Sequence, residues 1–156
     1  MERPVLFCYD GSDGAKSALA AAAELIGGPR EAVVLTVWMP IGVLLARGGS
    51  LMTQMPTEGE ADEDEAATAQ RIADEGAEEA RRRGYEASAR IAEATEAVAK
   101  TAIGVADELD AGLIVCGQRG LGPLRSALLG SVSHALSEHT QRPVLVVPAA
   151  TRVAPG

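Results

Sequence analysis

The chain has 156 residues, 47% of them hydrophobic and only 3% aromatic, with a formal net charge of −8. That length suits one domain with a single core of ordinary size, and the scarcity of aromatics means the core must be built from Ala, Val, Leu and Ile. The acidity argues against duplex nucleic acid or an anionic membrane surface as a general partner.

In chain order the first element is PVLFCYD, residues 4–10, an apolar run that reads as a strand. The N-terminal stretch has no apolar segment of signal-peptide length, and no later stretch approaches a membrane span, so the expected location is the cytoplasm. The next stretch, DGSDGAKSALA from Asp10 to Ala20, has the outline of a phosphate-binding loop running into a helix. A Walker loop needs G-x-x-x-x-G-K-[ST], however, and Lys16 stands where the second glycine belongs. Lys16 is therefore read as a solvated helix residue. Ala15, Ala18, Leu19, Ala22, Leu25 and Ile26 keep helical spacing until Gly27-Gly28-Pro29 ends it.

A second strand, AVVLTVW at 32–38, leads into residues 40–59, which are too long and glycine-rich for an ordinary βα loop and are expected to form a mobile cover. Six acids fall within residues 58–65, so much of the net charge is local; carboxylates there suit a solvated helix start. Ala69, Ile72, Ala73, Gly76, Ala77 and Ala80 continue a helical face up to Gly84. YEASARI, 85–91, alternates strictly and predicts a half-exposed strand near a sheet edge. Val98, Ala102, Val105, Ala106 and Leu109 mark a third helix, GLIVCG at 112–117 a fourth strand, Val132, Ala135, Leu136 and His139 a short fourth helix, and PVLVVP at 143–148 a last strand. Residues 149–156 form a tail. Cys8 and Cys116 each sit inside an apolar run, as buried free thiols do, and make no metal or redox motif. This alternation predicts one three-layer α/β domain over 1–156, a five-stranded parallel sheet with helices on both faces.

Ligands of such sheets bind beyond the carboxyl ends of the strands. After Cys116 comes GQRGLGPLRSALLGSVS, in which Gly117, Gly120, Gly130 and Ser131 match G-x2-G-x9-G-S just ahead of a helix. Glycines admit a ligand close to the main chain, and the N–H groups at a helix start attract an anion. The dinucleotide pattern G-x-G-x-x-G fails here, because Gly120-Leu121-Gly122 is followed three on by Arg125. Four pieces in order, VLFCYDGS, VLTVW, VCGQRGLGPLRSALLGSVS and RPVLVVP, resemble the universal stress protein family over nearly the whole chain.

That resemblance implies a sheet of strand order 3-2-1-4-5, dimerisation through the last strand (Arg142 to Val147), and binding of ATP, with or without Mg. It implies that Asp10 holds the adenosine and that Val37 lies against the adenine. Gly117, Gly120, Gly130, Ser131, Val132 and Ser133 would surround ribose and phosphates, with Arg119 adding charge to the polyphosphate. The bland readings stand beside these: Asp10 as a turn former, Ser131 as a helix cap, and His134 with Glu138 as an exposed i,i+4 pair. The function implied is a nucleotide-dependent regulatory or stress-response dimer. Its alternatives are slow ATP hydrolysis or autophosphorylation, or binding of another adenine nucleotide such as cyclic AMP. The sequence displays no catalytic constellation beside the loop that would support efficient turnover.

Overall fold

The computed structural model describes residues 2–40, 42–43, 58–118 and 131–148. Five parallel strands, β1 (Val5–Cys8), β2 (Glu31–Trp38), β3 (Glu86–Glu93), β4 (Leu113–Gly117) and β5 (Val144–Val147), lie in the order β3-β2-β1-β4-β5. Helices α1 (Asp13–Ile26), α2 (Glu58–Arg82), α3 (Val98–Glu108) and α4 (Ser131–His139) alternate with them. The strand order, the parallel pairing and the half-exposed edge position of β3 all agree with the sequence reading.

Successive strand residues point to opposite faces, and helices cover both. On one face Val5, Phe7, Ala32, Val34 and Val115 pack with Ala15, Ala18, Leu19 and Ala22 of α1 and Ala77 and Ala80 of α2. On the other, Leu6, Val33, Leu35 and Ile114 pack with Ala99, Ala102, Val105 and Ala106 of α3 and Leu136 of α4. This two-sided burial explains why Val33, Val34 and Leu35 form an unbroken apolar run. Each large aliphatic side chain so buried contributes roughly 1.5–3 kcal/mol. The alanines contribute less individually but let the helices approach the sheet closely. Phe7 and Tyr85 meet edge to face, with ring centroids 5.4 Å apart.

Local chemistry fixes the ends. Ser12 caps α1 by accepting a hydrogen bond from the Ala15 N–H, and Gly27, at φ +69°, stops it while its own N–H bonds the Ala23 carbonyl. α2 begins at Glu58, so Glu58 and Gly59 belong to a helix rather than to the 40–59 loop, and the acidic run does open that helix. Pro40, Gly42 and Val43 are described, whereas the rest of that loop lies outside the described residues. At the opposite end of the sheet Arg142 anchors the approach to β5. Its Nε donates to Asp107 Oδ1 at 2.8 Å, and its Nη1 donates to Asp110 Oδ1 at 3.1 Å and to the Ala111 carbonyl at 2.6 Å.

Candidate functional site

The carboxyl ends of β2, β1 and β4, neighbours in the sheet, form one rim. Chain continuity brings Trp38, Asp10 and Gln118 to that rim, each just beyond or at the last residue of its strand. Tyr9 N–H bonds the Leu35 carbonyl at 2.8 Å, and the Thr36 hydroxyl donates to the Tyr9 carbonyl at 2.8 Å. These two bonds fix the chain where it leaves β1 for Asp10. Thr36 is 4% exposed, so its hydroxyl is held in place by burial as well. Its signal in the sequence was slight: one polar residue in an otherwise apolar run, VVLTVW.

Asp10 is half-buried, and its Oδ1 accepts the Ser12 N–H at 2.9 Å, a turn that precedes the cap of α1. The carboxylate therefore has a structural task whatever else it binds. Val37 is half-buried, opposite Ala92 of β3, and packs on the α3 and α4 side of the sheet. Gly117 ends β4. A Cβ there would lie 2.9 Å from the Gly14 carbonyl group, so its lack of a side chain already serves the close approach of β4 to the first turn of α1.

α4 starts at Ser131 and sets its first turn against the exit of β4. Val132 packs on the same core face as Val37. Ser133 is 1% exposed, and its hydroxyl donates to the Gln118 carbonyl at 3.3 Å, tying the helix start to the strand end. Arg119, Gly120 and Gly130 lie outside the described residues, as does the side chain of Ser131. Lys16 faces Glu75 of α2 at 3.7 Å with both side chains exposed, and His134 faces Glu138 at 3.4 Å on the outside of α4, as expected of solvated pairs.

The rim carries two thiols and a phenol with raised pKa values. Burial, then the neighbouring Cys116, then Asp10 push the Cys8 thiol up to about 12. Burial pushes Cys116 up to about 11. Tyr9 is pushed up to about 12 by burial, followed by Glu75, Glu79 and Asp10. All three are un-ionised at neutral pH. Among the described residues, no three His, Cys, Asp or Glu side chains gather as a metal site, and no helix is long and apolar enough to cross a membrane.

A parallel α/β domain of order 3-2-1-4-5, open at the strand ends and faced there by a helix start, defines a class of small-ligand-binding folds. Within that class the chain belongs to the universal stress protein family, whose profile matches residues 1–148. A universal stress protein family member from Burkholderia pseudomallei is similar in structure: 26% identical, covering 94% of this chain and 96% of that one, with a TM-score of 0.68. The universal stress protein from Archaeoglobus fulgidus in complex with dAMP is 23% identical over 94% of this chain and 98% of that one, with a TM-score of 0.58. A universal stress protein in complex with cAMP is 22% identical over 95% and 98%, with a TM-score of 0.62. No curated protein was found to match the sequence.

Proposed function

We propose that this chain binds an adenine nucleotide, ATP in the first instance, across the carboxyl ends of β2, β1 and β4, and that it acts as a nucleotide-dependent regulatory dimer joined along β5. The observation that carries the reading is the convergence of three kinds of surface on one rim. Val37 offers a half-buried apolar patch, Asp10 a carboxylate, and the first turn of α4 its backbone N–H groups. A nucleoside phosphate needs those three: a dry surface for the base, an acceptor for ribose hydroxyls and N–H donors for phosphate. The dAMP and cAMP complexes of family neighbours support the same class of ligand.

In this reading Gly117, Gly120, Gly130, Ser131, Val132 and Ser133 line the phosphate path, and Arg119 supplies positive charge. The test is titration calorimetry with ATP, ADP and cyclic AMP, with and without Mg, beside circular dichroism. Two variants decide it. Asp10→Asn keeps an oxygen that can accept the Ser12 N–H, so the turn survives while the charge is lost. Gly130→Asp adds bulk and negative charge immediately before α4. Each is expected to remain folded and to lose at least about tenfold in nucleotide affinity, or about 1.4 kcal/mol. Parent-like binding by folded Gly130→Asp would place the phosphates elsewhere, and parent-like binding by Asp10→Asn would reduce Asp10 to a turn residue. Tighter binding of cyclic AMP than of ATP would replace the ligand while leaving the site.

A further inference from the structure

Cys8 and Cys116 are far apart in sequence but are brought together by the sheet. The β1–β4 register pairs Leu6 with Ile114 and Phe7 with Val115, and continuing it by one residue beyond the ladder brings Cys8 next to Cys116, which acts on it electrostatically. Leu6, Ile114 and Cys116 belong to the core face covered by α3 and α4, and Cys8 packs against that same face. Both cysteines are free thiols, Cys116 buried and Cys8 half-buried at the strand end, where an ion can reach it first.

Spacing and charge together select what such a pair accepts. Adjacent strands lie about 4.7–4.9 Å apart, and aligned side chains on one face keep roughly that separation. A disulfide would need both side chains turned toward each other with Cβ atoms about 3.5–4.5 Å apart, and an oxidant to make it. A single ion held linearly by two thiolates, each bond roughly 2.3 Å long, needs sulfurs roughly 4.6 Å apart, a separation close to the spacing of adjacent strands. The raised thiol pKa values mean that a lone buried thiolate is costly here, which also slows oxidation by any hydroperoxide, since the thiolate is the attacking species. A divalent ion removes that cost. Two S–H bonds break, two metal–sulfur bonds form, two protons leave, and the product M(SR)2 is neutral with no change of oxidation state. A monovalent ion would instead leave one negative charge near Asp10. No third ligand from His, Cys, Asp or Glu gathers with them among the described residues, which suits an ion that is content with two.

We propose that Cys8 and Cys116 form a two-thiolate site for a soft divalent cation of the mercuric type, immediately next to the proposed nucleotide contacts Asp10 and Gly117. The probe is mercuric chloride, added anaerobically to the full chain with glutathione as competing thiol and followed by native mass spectrometry and sulfur-to-metal charge-transfer absorbance. The expected result is one ion per chain with loss of two protons, a higher melting temperature, and retention against glutathione at least about 100-fold better than in Cys8→Ala or Cys116→Ala, because the second thiolate binds within the same molecule. Cys8→Ser and Cys116→Ser supply the comparison if an alanine variant is unfolded by circular dichroism. Two ions per parent chain, a single variant that competes as well as the parent, or uptake only after unfolding in urea would each overturn the proposal.

Discussion

Tyr85 carries a hydroxyl into an apolar layer without a hydrogen-bond partner among the described residues, although the residue is only 3% exposed. Its ring is well used, edge-on to Phe7, so the ring and the oxygen make opposite contributions. Tyr85→Phe keeps the first and removes the second, and is expected to raise stability by about 1 kcal/mol, read as a higher urea midpoint at unchanged slope. A loss of that size would reveal a partner for the oxygen. The thiols give a second residue-level prediction. Cys8 and Cys116 have folded pKa values of about 12 and about 11 against an ordinary 9.0. Above the unfolded value the unfolded chain has released protons that the folded chain still holds, so their stabilising contribution is complete below pH 9 and is lost as pH rises toward the folded values. Tyr9, raised from 10.0 to about 12, acts in the same direction a little later. Urea midpoints should fall as pH rises from about 9 toward about 11, and fall less steeply in a Cys8→Ala/Cys116→Ala protein. Parallel profiles for the two proteins would remove the thiols as the cause.

At the level of the element, two helical glycines make opposite predictions from the same substitution. Gly104 in α3 is exposed, and an added Cβ would meet nothing within 4 Å, so Gly104→Ala should stabilise by roughly 0.5–1 kcal/mol through helix propensity alone. Gly76 in α2 faces the sheet, where a Cβ would lie 2.7 Å from the Tyr9 ring and 2.8 Å from Val34. Gly76→Ala gains the same propensity but must push α2 away from β1 and β2, with an expected net loss of about 1–3 kcal/mol. Thermal melts of the two variants should move in opposite directions; a shared direction would mean α2 can shift without penalty. Gly76 also marks the boundary of what the sequence disclosed. Its place on the inner face of α2 was legible from the spacing of Ala69, Ala73, Ala77 and Ala80, but its closeness to Tyr9 joins two distant segments and leaves no periodic trace. For the same reason Gly117 could be read only as a ligand-lining glycine, since the Gly14 backbone opposite it belongs to another element. The start of α2 was hidden differently. Glu58–Glu65 is too polar to show a buried face, although its charge was correctly matched to a helix start. β3 runs on to Glu93 because its ladder with β2 continues to Trp38, a pairing that alternation within 85–91 alone could not extend.

On the scale of the whole molecule the sheet has two edges of different character. β3 carries Glu86, Arg90 and Glu93, with Arg90 in an ion pair to Glu108, and charges of this kind discourage pairing with another strand. β5 is VLVV, half-buried throughout, and the Arg142 anchor to Asp107, Asp110 and Ala111 holds its entrance against the end of α3. Its backbone polarity can be assigned from two bonds. Ile114 N–H bonds the Pro143 carbonyl at 3.0 Å and Gln118 N–H bonds the Val147 carbonyl at 2.8 Å, so Pro143, Leu145 and Val147 turn their polar groups toward β4. By alternation, Val144 and Val146 turn theirs outward, where a second copy of β5 would find them. Val146→Pro removes one outward N–H and none of the bonds to β4, and proline is tolerated on an edge strand when its missing N–H faces away from the sheet. The proposed dimer through Arg142 to Val147 should therefore weaken while the fold persists. Sedimentation velocity across a concentration series is expected to show the parent as a dimer and Val146→Pro shifted toward monomer, with matching circular dichroism spectra. A Val146→Pro protein that sediments as the parent does would free β5 of this role and send the search for an interface to another face of the domain.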